Sequence, residues 1–189
     1  MTGVVLCGGQ SLRMGRDKGL MVSANRLWAE IVRGKLVQTS IPSVLSVNST
    51  QKENYLRHFD ENDLVVDNSA INIQGPLQGL LSVHLKYPDQ DLMVVACDMI
   101  NVEIIVLKKL LNDFNASRVA AIAFKGERVE PLCAIYSSPG LAKILSAYRQ
   151  SKLSNYSMMY ILEELNAKYI PIPEEWQSYF RNFNSAEDL

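Results

Sequence analysis

Short apolar runs alternate along the chain with longer stretches in which apolar residues recur at helical spacing. The runs GVVLC (3–7), SVLSV (43–47) and DLVV (63–66) have the length and apolar composition of strands. DLMVVAC (91–97) ends in six consecutive apolar residues, which favours a strand that is covered on both faces. Further strands are predicted in RVAAIAF, PLCAIY and KYIPIP.

Helical periodicity fills the segments between these runs. In RLWAEIVRGKLVQ (26–38) it places Leu27, Ile31, Leu36 and Val37 near one helical face. Other helices are predicted in KENYLRHF, GPLQGLLSVHLKY, VEIIVLKKLLNDF, GLAKILSAY and SMMYILEEL, the second of which starts with the favourable pair Gly75-Pro76.

The alternation of strands and helices predicts an α/β fold. We expect residues 1–189 to form a single Rossmann-like domain of three layers, with a mostly parallel sheet and helices on both faces. KGERVEP (125–131) predicts a hairpin or loop before an antiparallel strand, and KYIPIP a late edge segment. No internal repeat, low-complexity tract or linker interrupts this pattern.

Composition and charge narrow the functional class. The chain has 189 residues, of which 48% are apolar and 21% charged, the balance of an ordinary soluble globule. Its net charge of −1 argues against a general nucleic-acid or anionic-membrane surface, so any anion site must be local. No apolar run approaches the ~18 residues of a membrane helix and no secretion signal is apparent, so we expect a cytoplasmic protein.

The three cysteines, Cys7, Cys97 and Cys133, lie far apart in apolar, strand-like contexts. Their spacing fits neither a zinc site nor a redox pair. We therefore expect buried free thiols in a reducing compartment.

The segment VVLCGGQSLRMGRDKGL (4–20) is the first candidate site, because it gathers glycines and cations where the first strand ends. Gly8 and Gly9 allow close approach of backbone to a ligand, and three cations against Asp17 leave a local charge of +2 that suits a polyphosphate. The spacing matches neither the P-loop nor the Rossmann fingerprint. An ordinary solvated loop is the alternative reading of this composition. The cations are Arg13, Arg16 and Lys18.

The order of residues in this loop adds a specific signal. LCGGQSLRMGRDK resembles the L-x-G-G-x-x-x-R-M-G-x-D-K signature of nucleotidyltransferases, most specifically the molybdenum cofactor guanylyltransferases. The resemblance implies that the backbone of Leu6, Cys7, Gly8 and Gly9 holds the purine and ribose. It also implies that Arg13 and Lys18 are catalytic residues that hold the phosphates, with Lys18 among the nucleotide-binding residues.

Asp98 in VVACDM follows the most hydrophobic predicted strand. Mg²⁺ is bound in proteins through one or two oxygens plus substrate phosphates, so a carboxylate here suits a magnesium-dependent transfer. A cap on the next helix is the alternative role. The sequence also resembles the family's C-D-x-P element, with Ile100 in place of Pro. The resemblance implies that Asp98 is the metal ligand, a catalytic residue and a nucleotide contact.

Three further segments follow the family's pattern in the same order. VVDNSAINIQGPLQGLLS resembles a D-x(n)-G-P-L-x-G element, which implies that Asp67 lies at the nucleotide and that the helix start faces the pterin phosphate. SVNS implies that Asn48 meets the base, and FRNFNSAEDL resembles a C-terminal N-x-N pattern near the product. The implied acceptor-binding residues are Gly75, Pro76, Leu77, Gly79, Asn182 and Asn184.

The resemblance implies transfer of GMP from GTP to molybdopterin, with Mg²⁺ as cofactor and release of pyrophosphate. It implies a nucleotide-binding half over residues 1–100, an acceptor-binding half over 101–189, and molybdopterin-transfer proteins and apo-molybdoenzymes as candidate partners. The phosphomonoester nucleophile needs no base, so His58 and His84 are expected to be structural. A related transferase that uses CTP or a sugar phosphate, and a non-catalytic nucleotide-binding scaffold, are the alternatives.

Overall fold

The computed structural model describes residues 1–8 and 17–181. Its strands in chain order are β1 (Thr2–Leu6), β2 (Val22–Ser23), β3 (Arg26–Leu27), β4 (Ser43–Val47), β5 (Leu64–Val66), β6 (Leu92–Ala96), β7 (Ala121–Lys125), β8 (Val129–Tyr136) and β9 (Lys168–Pro171). Its α-helices are α1 (Trp28–Val37), α2 (Lys52–Tyr55), α3 (Pro76–Lys86), α4 (Ile104–Asp113), α5 (Ser138–Arg149) and α6 (Met158–Glu164). Short 3₁₀ turns cover Lys18–Leu20, Glu61–Asp63 and Glu174–Phe180.

Seven strands form the main sheet, in the order β5-β4-β1-β6-β8-β7-β9. β1 pairs in parallel with β4 and β6, β4 with β5, and β7 with β9. β8 runs antiparallel to both of its neighbours. The mostly parallel sheet, the antiparallel strand and the late edge strand are therefore confirmed. The hairpin connection is shorter than the predicted 125–131, because β7 ends at Lys125 and β8 begins at Val129.

The two faces of the sheet bury separate clusters of apolar side chains, because successive strand residues point to opposite sides. Val5 of β1 belongs to a cluster with α1 and α4, whereas its neighbour Val4 belongs to a cluster with α3, α5 and α6. Helices thus cover both faces, and the predicted three-layer α/β architecture is confirmed.

The buried face of α1 differs in part from the predicted one. Trp28, Val32 and Leu36, spaced four residues apart, are fully buried, whereas Val37 is 53% exposed. Leu27 precedes the helix and belongs to the small β2–β3 hairpin. The helix presents the face that contains Trp28 to the core, because burying the indole removes far more apolar surface from water than burying Val37 would.

The three cysteines are free and buried, as predicted. Within the described ranges, no helix is long and apolar enough to cross a membrane.

The burial pattern of α1 gives a matched test. Val32→Ala removes two buried methyl groups and should lower the free energy of unfolding by about 2 kcal/mol, whereas Val37→Ala should change it by less than about 0.5 kcal/mol. Both variants make the same Val→Ala change in α1, and the difference in helix propensity between an interior and a terminal position is small beside the expected packing loss. Chemical denaturation therefore measures the difference in packing. Equal losses would contradict the orientation of α1.

Candidate nucleotide site

The predicted nucleotide residues meet at one edge of the sheet. Cys7 and Gly8 follow β1, Asn48 follows β4, Asp67 follows β5 and Asp98 follows β6. The amide of Gly8 donates to the carbonyl of Ser46 at 3.1 Å, which keeps the end of β1 against β4. From β1 the chain continues to β4 and β5 on one side of it, and then crosses to β6 on the other side, so the strand order reverses at β1. Open α/β sheets bind ligands beyond the carboxyl ends of the strands at such a reversal.

Lys18 and Asp98 lie together at this edge, although 80 residues separate them in the chain. The Lys18 ammonium lies 2.9 Å from Oδ2 of Asp98, and the two side chains are 21% and 17% exposed. Helix α4 begins only at Ile104, after Glu103, so the alternative role of Asp98 as its cap is wrong. The carboxylate and the ammonium instead form a partly shielded pair that an incoming phosphate or metal ion could reach.

Asp17 holds the turn that carries Lys18. Its Oδ1 accepts hydrogen bonds from the amide of Gly19 at 3.0 Å and from the hydroxyl of Tyr55 at 2.9 Å. A side chain at Gly19 would collide with that hydroxyl, so glycine is required for the close approach. Burial, together with Cys7, Cys97 and Asp17 nearby, raises the pKa of Tyr55, which therefore stays a neutral donor.

Asp67 lies between two glycines at the end of β5. Its Oδ1 would lie 3.5 Å from a Cβ at Gly79, and its Oδ2 3.8 Å from one at Gly8. Burial raises the pKa of Asp67 from 3.8 to about 6. Among the described residues, neither its Oδ1 nor the buried hydroxyl of Ser46 finds a hydrogen-bond partner. Buried polar atoms of this kind are a reason to expect a polar ligand.

The start of α3 has an open N-terminus. Gly75 precedes the helix with φ of 98° and provides no side-chain cap, and Pro76 follows it. Leu77 is fully buried in the core, so only its backbone could contact a ligand. A Cβ at Gly79 would lie 2.6 Å from the Ser46 hydroxyl, so this glycine allows α3 to pack closely on β4. Uncapped amides at a helix start suit an anion.

Four predicted site residues, Gly9, Arg13, Asn182 and Asn184, lie outside the described residues, so their roles stay predictions.

Glu130 is an acidic residue near Asp98 that the sequence analysis did not identify. β6 and β8 pair antiparallel as far as Val95 and Cys133, with Asp98 just after the end of β6 and Glu130 near the start of β8. Burial raises the pKa of Glu130 to about 6, with Arg128 opposing the shift and the nearby Asp98 adding to it. A carboxylate near the start of β8 was the available signal, but only the pairing of β6 with β8 brings it near Asp98.

An open pocket of about 820 Å³ lies elsewhere, between α1 and the segment after α2. Arg33, which lines it, bonds Asp63 just before β5 and Ser43 at the start of β4. These contacts place the pocket near the amino ends of the strands. Arginine and acidic side chains line it together, so the pocket has no excess of positive charge that would attract a polyphosphate.

Comparison with known proteins agrees with this geometry. The family described as the MobA-like NTP transferase domain matches residues 3–167. The chain is 31% identical to a probable molybdenum cofactor guanylyltransferase of Thermococcus gammatolerans, over 100% of this chain and 97% of the relative. It is 25% identical to a protein of the same name from Flavobacterium johnsoniae, over 100% and 94% of the two chains.

A solved structure shows the same fold. It is the molybdopterin-guanine dinucleotide biosynthesis protein A of Archaeoglobus fulgidus, with a TM-score of 0.78 and 23% identity. The match covers 100% of this chain and 94% of that one.

The raised pKa of Asp67 predicts a pH-dependent cost in stability. Between pH 3.8 and about 6 the folded protein binds more protons than the unfolded chain, so its free energy of unfolding falls as pH rises. Asp67→Asn should therefore stabilise the ligand-free protein at pH 7.5 by about 1 kcal/mol, or roughly 2–4 °C, and have little effect near pH 4.

Thermal denaturation at the two pH values measures this effect. The exposed Asp60 provides the matched control, because Asp60→Asn makes the same change in charge without burial. A stabilisation that is the same at both pH values would contradict the assignment.

Proposed function

We propose that this chain, which belongs to the MobA-like NTP transferase family, transfers GMP from GTP to molybdopterin and releases pyrophosphate. The observation that carries the proposal is the 2.9 Å pair of Lys18 and Asp98 beside the end of β1. One cation and one carboxylate at a glycine-bounded strand end are the groups that nucleotidyl transfer requires.

The reaction needs positioning more than acid–base chemistry. An oxygen of the molybdopterin phosphate forms a bond to the α-phosphorus of GTP, and the bond to the β-phosphate breaks as pyrophosphate leaves. A phosphomonoester has a second pKa of about 6 and is mostly dianionic at pH 7, so no side chain has to remove its proton. The protein has to bring two anions together and stabilise the charge that develops between them.

Different residues bind the nucleotide and neutralise the charge of its phosphates. The backbone from Leu6 to Gly9 holds the purine and ribose, and Asp67 lies at the nucleotide. Lys18 neutralises charge at the α-phosphate, and Arg13 holds the departing pyrophosphate. Asp17 and Tyr55 keep Lys18 in place.

The donor set at Asp98 fits Mg²⁺. Across residues 1–8 and 17–181, no group of three or more histidine, cysteine or acidic side chains is arranged to bind a metal ion through protein ligands alone. One carboxylate, with Glu130 nearby, is what Mg²⁺ takes when phosphate and water complete its shell. Asp98 would hold the ion, which when bound neutralises charge on the phosphates.

Asn48 is compatible with guanine as the base. Its Oδ1 already accepts hydrogen bonds from the amide of Gln51 at 2.9 Å and the hydroxyl of Thr50 at 2.7 Å. The side chain is therefore left with N–H groups to donate. Guanine presents acceptors at O6 and N7 that these N–H groups can meet, which is compatible with GTP as the substrate.

We expect the acceptor to bind at the start of α3, where Gly75, Pro76, Leu77 and Gly79 would receive the pterin phosphate. Asn182 and Asn184 would complete this half of the site. Residues 101–189 would provide most of the remaining acceptor surface.

Product analysis tests the function directly. The chain is incubated with Mg²⁺, molybdopterin together with a sugar phosphate, and each of four nucleoside triphosphates, and pyrophosphate and product mass are measured. We expect pyrophosphate and a guanine dinucleotide product with GTP only. A cytosine or sugar-nucleotide product would identify a related transferase, and GTP binding without pyrophosphate would identify a scaffold.

Removal of either charge of the central pair should abolish most activity. Lys18→Ala and Asp98→Asn are each expected to lower kcat by about 100-fold or more, because each removes a group that stabilises charge in the transition state. Lys52→Ala is the control, since it breaks an exposed ion pair with Glu61 and should change kcat less than about two-fold. Near-normal rates in both site variants would contradict the assignment.

A further inference from the structure

We infer that Gln51 is a positioning residue that fixes three segments of the nucleotide site with one side chain. The inference rests on the function proposed above and concerns how that site is held in shape. Gln51 lies immediately before α2 and is 9% exposed. It belongs to none of the motifs in the sequence.

Both polar atoms of the Gln51 side-chain amide form hydrogen bonds, and together they contact three different segments of the chain. Its Oε1 accepts from the amide of Asn48 at 2.9 Å. Its Nε2 donates to the carbonyl of Cys7 at 3.0 Å and to Oδ2 of Asp17 at 2.7 Å. The end of β1, the end of β4 and the turn before Lys18 are thereby joined at one buried amide.

The orientation of this amide follows from its partners. The backbone N–H of Asn48 can only donate, and the Cys7 carbonyl can only accept, so exchanging Oε1 and Nε2 would break all three hydrogen bonds. A buried amide with every group satisfied defines a single arrangement of the segments around it.

Part of this contact set closes the turn over residues 48–51 that leads into α2. Asn48 accepts the amide of Gln51 while Gln51 accepts the amide of Asn48, a reciprocal pair of hydrogen bonds like that of a capping box. Glutamate could serve as well as glutamine in that turn. Only glutamine can also donate to Cys7 and Asp17, so these two donations are separable from the turn.

The donation to Asp17 reaches the phosphate-binding cation. The other carboxylate oxygen of Asp17 accepts hydrogen bonds from Gly19 and Tyr55. These bonds fix the turn that contains Lys18, and Lys18 in turn lies against Asp98. Gln51 and Tyr55 are four residues apart, so one turn of helix brings both to the same carboxylate. Loss of the Gln51 donors should therefore misplace the nucleotide contacts while leaving the acceptor side intact.

Gln51→Glu tests this reading because it keeps the size of the side chain and the hydrogen bonds of the turn but removes both donors. It also sets a carboxylate against Asp17. We expect the KM for GTP to rise about 10-fold or more and the KM for molybdopterin to change less than about two-fold. Gln150→Glu is the matched control, since Gln150 is exposed at the end of α5 and its side-chain amide donates to the nearby hydroxyl of Ser146.

A second variant exchanges the donor and acceptor of the Gln51–Asp17 hydrogen bond and tests whether GTP binding recovers. In the double variant Asp17→Asn with Gln51→Glu, the new amide can donate to the new carboxylate. The donation to the Cys7 carbonyl stays lost, so part of the lost GTP affinity should return. A merely structural role would lower the melting temperature and leave the KM for GTP of the folded protein unchanged. An unchanged KM, equal increases for both substrates, or no rescue would overturn the inference.

Binding measurements keep the two proposals separate. GTP binding to wild type and variants is measured by calorimetry with Mg²⁺ and without molybdopterin. If wild type binds GTP but forms no product, the proposed transfer fails, and the variants still decide the role of Gln51. If Gln51→Glu does not fold, Gln51→Met, which removes the same donors without adding charge, is measured in its place.

Discussion

Parallel pairing of β1 with β4 on one side and β6 on the other is the constraint on which the site depends. The pairing places the ends of three strands at one edge, so that short polar segments after each strand face a shared space. Lys18 and Asp98 can approach to 2.9 Å only because β1 and β6 are neighbours. The pairing in turn depends on two apolar layers, one on each face, that bury the strands completely.

The site holds acidic groups in surroundings that disfavour their charge. Burial raises the pKa of both Asp67 and Glu130 to about 6. Near neutral pH each carboxylate therefore carries a desolvation cost that the folded protein must offset elsewhere. A cationic or hydrogen-bonding ligand would relieve that cost. The buried hydroxyl of Ser46 and the open start of α3 fit the same pattern.

The sequence predicted the architecture well because its signals are local. Apolar runs and turn residues determine where strands begin and end, and the predicted segments agree with the observed strands to within a few residues. The motif residues that follow β1, β4, β5 and β6 could also be predicted to share an edge, because parallel strands align their carboxyl ends. Periodicity was less informative for α1, where several apolar residues compete for the buried face and Trp28 decides the outcome.

The chain by itself therefore determined its α/β class, its strand ends and the chemistry available at them. Tertiary structure decided which side chains meet: Glu130 near Asp98, Tyr55 on Asp17, and Gln51 on Cys7 and Asp17. Such contacts join residues about 30 to 45 positions apart, and no periodicity or spacing encodes them. They follow from strand register and helix placement, which are set by the packing of the whole core, and for that reason they appear only when the chain is folded.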